Sequence, residues 1–96
     1  MQLSFVYILL CKDNTYYVGV TNDVFRRFEE HCKGIHPNSY TFNRRPLELV
    51  FYASFTSIQI AIEKEKQIKK WSQNKKLALI EGRFEDLPNL AKKNFK

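Results

Sequence analysis

Glycine and proline are scarce in this chain, three of each, and the glycines do not cluster. That excludes a glycine-rich phosphate loop, the backbone cradle of many nucleotide-binding folds. Cysteine occurs twice, at Cys11 and Cys32, which is too few for a disulfide framework and lacks the spacing of a zinc site. Both fall on apolar faces of the expected elements and read as buried, reduced thiols of a cytoplasmic protein. The apolar run Phe5–Cys11 ends in Lys12-Asp13-Asn14 and is too short to span a membrane. No basic leader or small-residue cleavage site marks a secretory signal. Internal repeats and low-complexity segments are absent. No serine or cysteine pairs with a histidine in a nucleophile pattern.

What the chain does have is apolar content, aromatic rings and positive charge. Apolar residues make up 44% and aromatics 15% of the 96 positions, a balance that suits a packed domain and argues against disorder. The length fits one small domain, expected over residues 1–96. Sixteen Lys and Arg against ten Asp and Glu give a net charge of +6, and the pI is about 9.4. That excess favours a polyanionic partner such as nucleic acid, although it also suits a basic protein with no such partner.

Ser4 to Cys11 is apolar on both alternating faces, as in a strand covered on both sides. Lys12-Asp13-Asn14 signals a turn, and Thr15 to Val20 is a second β-rich run. A three-residue loop with Asn14 in the left-handed conformation sets the register: Cys11 opposite Thr15, Leu9 opposite Tyr17, Tyr7 opposite Gly19. Tyr7 and Tyr17 then project from the same face. Gly19 leaves room there for a ring or a ligand.

Thr21-Asn22-Asp23 starts a helix that Gly34 stops. Its expected apolar face is Val24, Phe25, Phe28 and Cys32, with Arg27 and His31 adjacent on one edge. Residues 35–46 form a loop in which Arg44 and Arg45 interleave with Tyr40 and Phe42, as a phosphate- and base-contacting surface does. Leu47 to Phe55 reads as a third strand. A helix follows from Thr56, with Gln59 completing a capping-box pattern. Ile58, Ala61, Ile62 and Ile68 form its expected apolar stripe. Glu65 falls within that stripe, and Glu63 points outward. A carboxylate on a core-facing stripe is costly unless it is paired or bound to metal. Lys69, Lys70, Lys75 and Lys76 make the following stretch basic, suited to solvent or to a phosphate backbone. Ser72 caps a third helix ending at Gly82, and Phe84, Leu87, Leu90 and Phe95 suggest a last amphipathic segment over the core. The expected fold is α+β, a small three-stranded antiparallel sheet flanked by helices.

Two tyrosines, an arginine, a histidine and one misplaced glutamate fit phosphodiester hydrolysis. One carboxylate plus waters can hold Mg²⁺, arginine grips a phosphate through paired hydrogen bonds, and tyrosine or histidine can take a proton from water. The chain resembles the GIY-YIG nucleases at these residues. Val6-Tyr7-Ile8 stands where that family has Gly-Ile-Tyr, without the glycine, and Tyr17-Val18-Gly19 matches Tyr-Ile-Gly. Arg27, His31 and Glu65 fall at the family's arginine, its His-or-Tyr and its metal-binding glutamate. The likeness covers nearly the whole chain and is strongest to small stand-alone bacterial members, similar to the N-terminal nuclease domain of the excinuclease C subunit.

The resemblance implies a Mg²⁺- or Mn²⁺-dependent endonuclease acting on DNA, or on RNA, with a place in DNA repair. Many relatives carry an Asn near the end of the catalytic helix region. Asn74 lies nearby at a different distance from Glu65, so it stands only as a candidate accessory residue beside Gly19. Without a fused DNA-binding module, little sequence specificity, or selectivity for nucleic-acid structure, is expected. The residues leave open which of Tyr7, Tyr17 and His31 is the base. The competing readings are a non-cleaving nucleic-acid-binding module of the same fold and a protein-interaction domain. Neither needs Glu65.

Overall fold

A computed structural model describes residues 2–83. The expected amphipathic segment from Phe84 onward lies outside the described residues. Strands β1 (Ser4–Leu10), β2 (Tyr16–Thr21) and β3 (Glu48–Phe55) form one antiparallel sheet in the order β2-β1-β3. Helix α1 (Val24–Lys33) follows β2, and α2 (Ile58–Lys69) and α3 (Gln73–Ile80) follow β3. A short 3-10 turn, Phe42–Arg44, interrupts the loop before β3.

The hairpin has the expected register. Asn14 has φ 66°, and its N–H donates to the Cys11 carbonyl at 2.9 Å. Tyr7 pairs with Gly19 and Leu9 with Tyr17. As the central strand, β1 is covered on both sides, which is why neither of its faces is polar. On one side Val6, Ile8 and Val18 pack with Ala61, Ile68, Trp71, Ala78 and Leu79 from α2, α3 and their connection. On the other, Tyr7 and Leu9 pack with Val24, flanked by Phe28, Leu47 and Leu49. The sheet therefore separates α1 from α2 and α3.

Helix α1 has the expected ends. The Asp23 carboxylate accepts from the Arg26 N–H, and Gly34, at φ 68°, closes the last turn in the left-handed conformation. The face it buries differs from the expected one. Val24 and His31 are buried with Phe28 beside them, an i, i+4, i+7 stripe. Phe25 and Cys32, seven residues apart, share a different face. Phe25 is 64% exposed, its ring edge against Tyr52, and Cys32 is exposed rather than buried.

Helix α2 is likewise turned from expectation. Its buried residues are Ala61, Lys64 and Ile68, whereas Ile58 and Ile62 are exposed. Its cap is Ser57, whose Oγ accepts from the Ile60 N–H, so the start lies one residue beyond Thr56. Instead of closing a capping box, the Gln59 side chain accepts a hydrogen bond from Ser57 Oγ. Burial lowers the Lys64 pKa, since desolvation disfavours its ammonium. Ser72 caps α3 as expected, accepting from the Lys75 N–H.

Candidate active site

The site is built where β1, β2 and α1 meet. Pairing of Tyr7 with Gly19 brings Tyr7 and Tyr17 onto one face, with ring centroids 6.2 Å apart. His31 lies across both rings, 6.1 Å from Tyr7 and 5.3 Å from Tyr17. A Cβ on Gly19 would stand 2.5 Å from the Tyr7 hydroxyl, so this position is open to the Tyr7 ring and not to a ligand.

Tyr7 is 1% exposed, and its hydroxyl lies 3.0 Å from His31 Nε2. Burial pushes the phenol well above its ordinary value, the neighbouring Tyr17 adds to the rise, and Arg27 opposes it. Tyr7 therefore stays neutral. Burial also holds His31 below its usual 6.5, and the neighbouring Arg27 and His36 push the same way, against Glu30. His31 is a neutral imidazole at physiological pH.

Arg27, one helical turn before His31, sits with Nε 3.2 Å from Glu30 Oε1, although that buried nitrogen makes no hydrogen bond. Glu30 also faces Arg26 and His36, at 3.9 and 3.4 Å. The His36 hydrogen bond and the two arginines lower its pKa. Tyr17, Arg27, Glu30, His31, His36, Ser39 and Tyr40 line an open cavity of about 540 Å³. Tyr17 and Tyr40, their rings stacked at 6.1 Å, also border a second cavity of about 360 Å³ with Tyr16, Val18, Lys69 and Lys76.

Residues 3–78 match the family model described as the GIY-YIG catalytic domain. The chain belongs to the GIY-YIG family. It is 41% identical over 80 residues to a UPF0213 protein of Syntrophus aciditrophicus, covering 83% of this chain and 92% of that one. It is 42% identical over 77 residues to UPF0213 protein YazA of Bacillus subtilis, covering 80% and 77%. The solution NMR structure of UPF0213 protein BH0048 from Bacillus halodurans aligns with a TM-score of 0.54 at 37% identity, covering 93% of this chain and 97% of that one. The fold is thus an α+β GIY-YIG fold, and the family's catalytic domain is of nuclease type.

Within this GIY-YIG domain, four of the five expected site residues, Tyr7, Tyr17, Arg27 and His31, form one cluster. Glu65 stands on α2 and, among the described residues, makes no direct contact with the cluster; its ion-pair partner Lys69 lines the second cavity beside Tyr17. The Glu65 side chain is 12% exposed, and its Oε2 pairs with Lys69 Nζ one turn on. The hydrogen bond from Lys69 to Glu65 raises the lysine pKa against its partial desolvation, and the Glu65 charge adds to the rise. Among the described residues no group of three His, Cys, Asp or Glu converges to hold a metal. Glu65 stands as a single carboxylate, a donor set that suits Mg²⁺ retaining several waters and not a fully protein-ligated ion.

The basic residues divide. Lys69 and Lys76 border the second cavity, and burial lowers the Lys76 pKa. Arg44 is pinned beside it, 3.1 Å from Asp13 and stacked over the Tyr40 ring at 3.8 Å. Arg45 points elsewhere, donating to the Phe42 and Cys32 carbonyls and packing against Gly34, so it fastens the loop to the end of α1. Lys70 and Lys75 are exposed near the α2–α3 junction. Asn74 and Lys75 line a separate recess with Ala78 and Arg83, away from the tyrosines.

Sequence reasoning missed Glu30, His36, Ser39 and Thr41. Thr41 is 1% exposed, and its Oγ1 lies 2.8 Å from His31 Nδ1. The available signal was weak: hydroxyl residues flanking Tyr40, in a loop without periodicity.

Proposed function

We propose that the protein is a Mg²⁺- or Mn²⁺-dependent endonuclease that hydrolyses phosphodiester bonds in DNA, with little sequence specificity or with selectivity for structure. Residues 1–96 act as a single nuclease domain in the cytoplasm. Among the described residues no helix is long and apolar enough to cross a membrane.

The observation that carries this reading is the joining of Tyr17, Arg27 and His31 at the wall of one open cavity, with Tyr7 enclosed behind them against His31. Arg27 has donors to hold a scissile phosphate, and leaving Glu30 for the phosphate exchanges one anion for another. Tyr17 faces both cavities and is the phenol within reach of a water molecule, whereas Tyr7 is enclosed. Neutral His31 has a ring nitrogen with which to orient that assembly or accept a proton. Glu65 would hold the metal, which when bound supplies charge neutralisation to the phosphate and the leaving oxygen. Lys69, Lys76 and Arg44 flank Tyr17 and Tyr40 with the positive charge a phosphate backbone requires.

Incubating the purified protein with plasmid, single-stranded and branched DNA, and with RNA, in Mg²⁺ or EDTA tests the reading. Cleavage of at least one DNA that EDTA abolishes is expected. Salt-sensitive binding without cleavage of any substrate would favour the non-cleaving module. Neither cleavage nor binding would favour the protein-interaction domain.

A further inference from the structure

A chain of hydroxyl and imidazole groups runs from the buried phenol to the cavity rim. Tyr7 Oη lies 3.0 Å from His31 Nε2, His31 Nδ1 lies 2.8 Å from Thr41 Oγ1, and Thr41 Oγ1 lies 3.0 Å from Ser39 Oγ. Tyr7, His31 and Thr41 are all buried, while Ser39 is half-buried and lines the larger cavity. The Thr41 N–H also donates to Ser39 Oγ, at 3.3 Å, which ties the two hydroxyl residues together. A buried hydroxyl 2.8 Å from a ring nitrogen has to be accounted for in the hydrogen bonding of that imidazole.

One arrangement of donors carries every hydrogen from the phenol toward the cavity. Tyr7 is neutral, so it carries one hydrogen. Arg27, which also reaches this hydroxyl, is a donor only, so the Tyr7 hydrogen has two acceptors beside it, the Tyr17 hydroxyl and His31 Nε2. His31 Nε2 can accept. If it does, the neutral ring carries its hydrogen on Nδ1, which donates to Thr41 Oγ1. Thr41 then donates to Ser39 Oγ, leaving the Ser39 hydrogen for the cavity. Every group in this chain is satisfied, and each hydrogen points outward.

We propose that Thr41, backed by Ser39, is a positioning residue that locks His31 in the Nδ1–H tautomer and so presents the Nε2 lone pair to Tyr7. The catalytic consequence rests on the nuclease reading; the tautomer does not. A histidine held by a hydroxyl on its far nitrogen keeps both its ring orientation and its proton placement. The loop carrying Tyr40 and Arg44 is thereby coupled to the imidazole through Thr41.

Nitrogen-15 NMR of the imidazoles tests this on the full chain without substrate. Only two histidines are present, and a His36→Gln variant assigns the signals. The native protein should show His31 with protonated Nδ1 and bare Nε2. Thr41→Val, close in shape but without the hydroxyl, should shift His31 toward the other tautomer or a mixture, and Thr41→Ser should restore the native pattern. In cleavage assays Thr41→Val should lower kcat about 10- to 100-fold, the usual range for losing a group that orients a functional histidine, with KM for DNA unchanged and with rescue by Thr41→Ser. A native His31 protonated on Nε2 overturns the proposal, whether or not the valine variant folds. So does a folded Thr41→Val protein with an unchanged tautomer. Absence of DNA cleavage by the native protein counts against the nuclease reading, while the spectra decide the tautomer independently.

Discussion

The hydroxyl of Tyr7 and Nε2 of His31 stand 3.0 Å apart although the residues are 24 positions apart in sequence. A central strand and a helix edge meet at this contact. Around it, burial keeps the phenol protonated and the imidazole neutral. The pair therefore enters any reaction as a neutral hydrogen-bonded unit, with Arg27 supplying the charge beside it.

That burial makes stability depend on pH with a definite sign. His31 has a folded-state pKa below its unfolded value of about 6.5. The unfolded chain therefore binds more protons in the acidic range. The stability associated with neutral His31 should be fully present above pH ~6.5 and be lost as pH falls toward the folded pKa. Melting temperature against pH for the native protein and His31→Gln checks this. The slope below pH ~6.5 should be smaller in the variant, and identical slopes would show that His31 does not titrate differently on folding.

Gly19 should tolerate no side chain. A Cβ there would lie 2.5 Å from the Tyr7 hydroxyl, and the ring is fully enclosed. Gly19→Ala should cost roughly 1–3 kcal/mol, the usual range for overpacking a close-packed site, and should move Tyr7 away from His31. Denaturant unfolding gives the cost. An unchanged midpoint would mean that the tyrosine relaxes freely.

Glu65 and Glu63 provide a controlled comparison on one helix. Glu65→Gln should reduce metal-dependent cleavage on the order of a hundredfold, as expected when charge stabilisation of the reacting phosphate is lost. Its partner Lys69 is 54% exposed while Glu65 is 12% exposed, so loss of this half-buried pair should cost about 1 kcal/mol, the upper end for surface ion pairs. Exposed Glu63, changed to Gln, should alter neither rate nor stability. Full activity in Glu65→Gln would remove the metal-ligand assignment.

DNA affinity should fall steeply with salt because bound lysines and arginines displace condensed counterions. Lys69→Ala and Lys76→Ala, at the second cavity, should each weaken binding across all sequences and reduce the salt slope by about 1. Lys70→Ala should act in the same direction. Arg45, occupied with the Phe42 and Cys32 carbonyls, should when changed to Ala lower stability more than affinity. Titrations at two salt concentrations separate these cases.

The start of α2 offers a purely structural test. Ser57→Ala removes the side chain that accepts from the Ile60 N–H and should cost about 1 kcal/mol, whereas Thr56→Ala should cost little. Equal effects would return the helix start to Thr56.

By itself the sequence determined the features governed by local periodicity and turn chemistry. Asn14 at positive φ sets the hairpin register, which puts Tyr7 and Tyr17 on one face. The i, i+4 spacing puts Arg27 beside His31, and Gly34 ends α1. These follow from interactions a few residues apart and survive whatever the rest of the chain does. Only the tertiary structure decided how far each helix is rotated about its axis. Periodicity marks a broad apolar arc, but packing against the sheet selects the part that is buried. Val24, Phe28 and His31 turn inward on α1 while Phe25 and Cys32 face out; on α2, Lys64 is buried while Ile58 and Ile62 are exposed. The loop partners were hidden for a different reason. Thr41 reaches His31, and Arg45 reaches the end of α1, through single long-range hydrogen bonds that leave no repeating pattern in the chain.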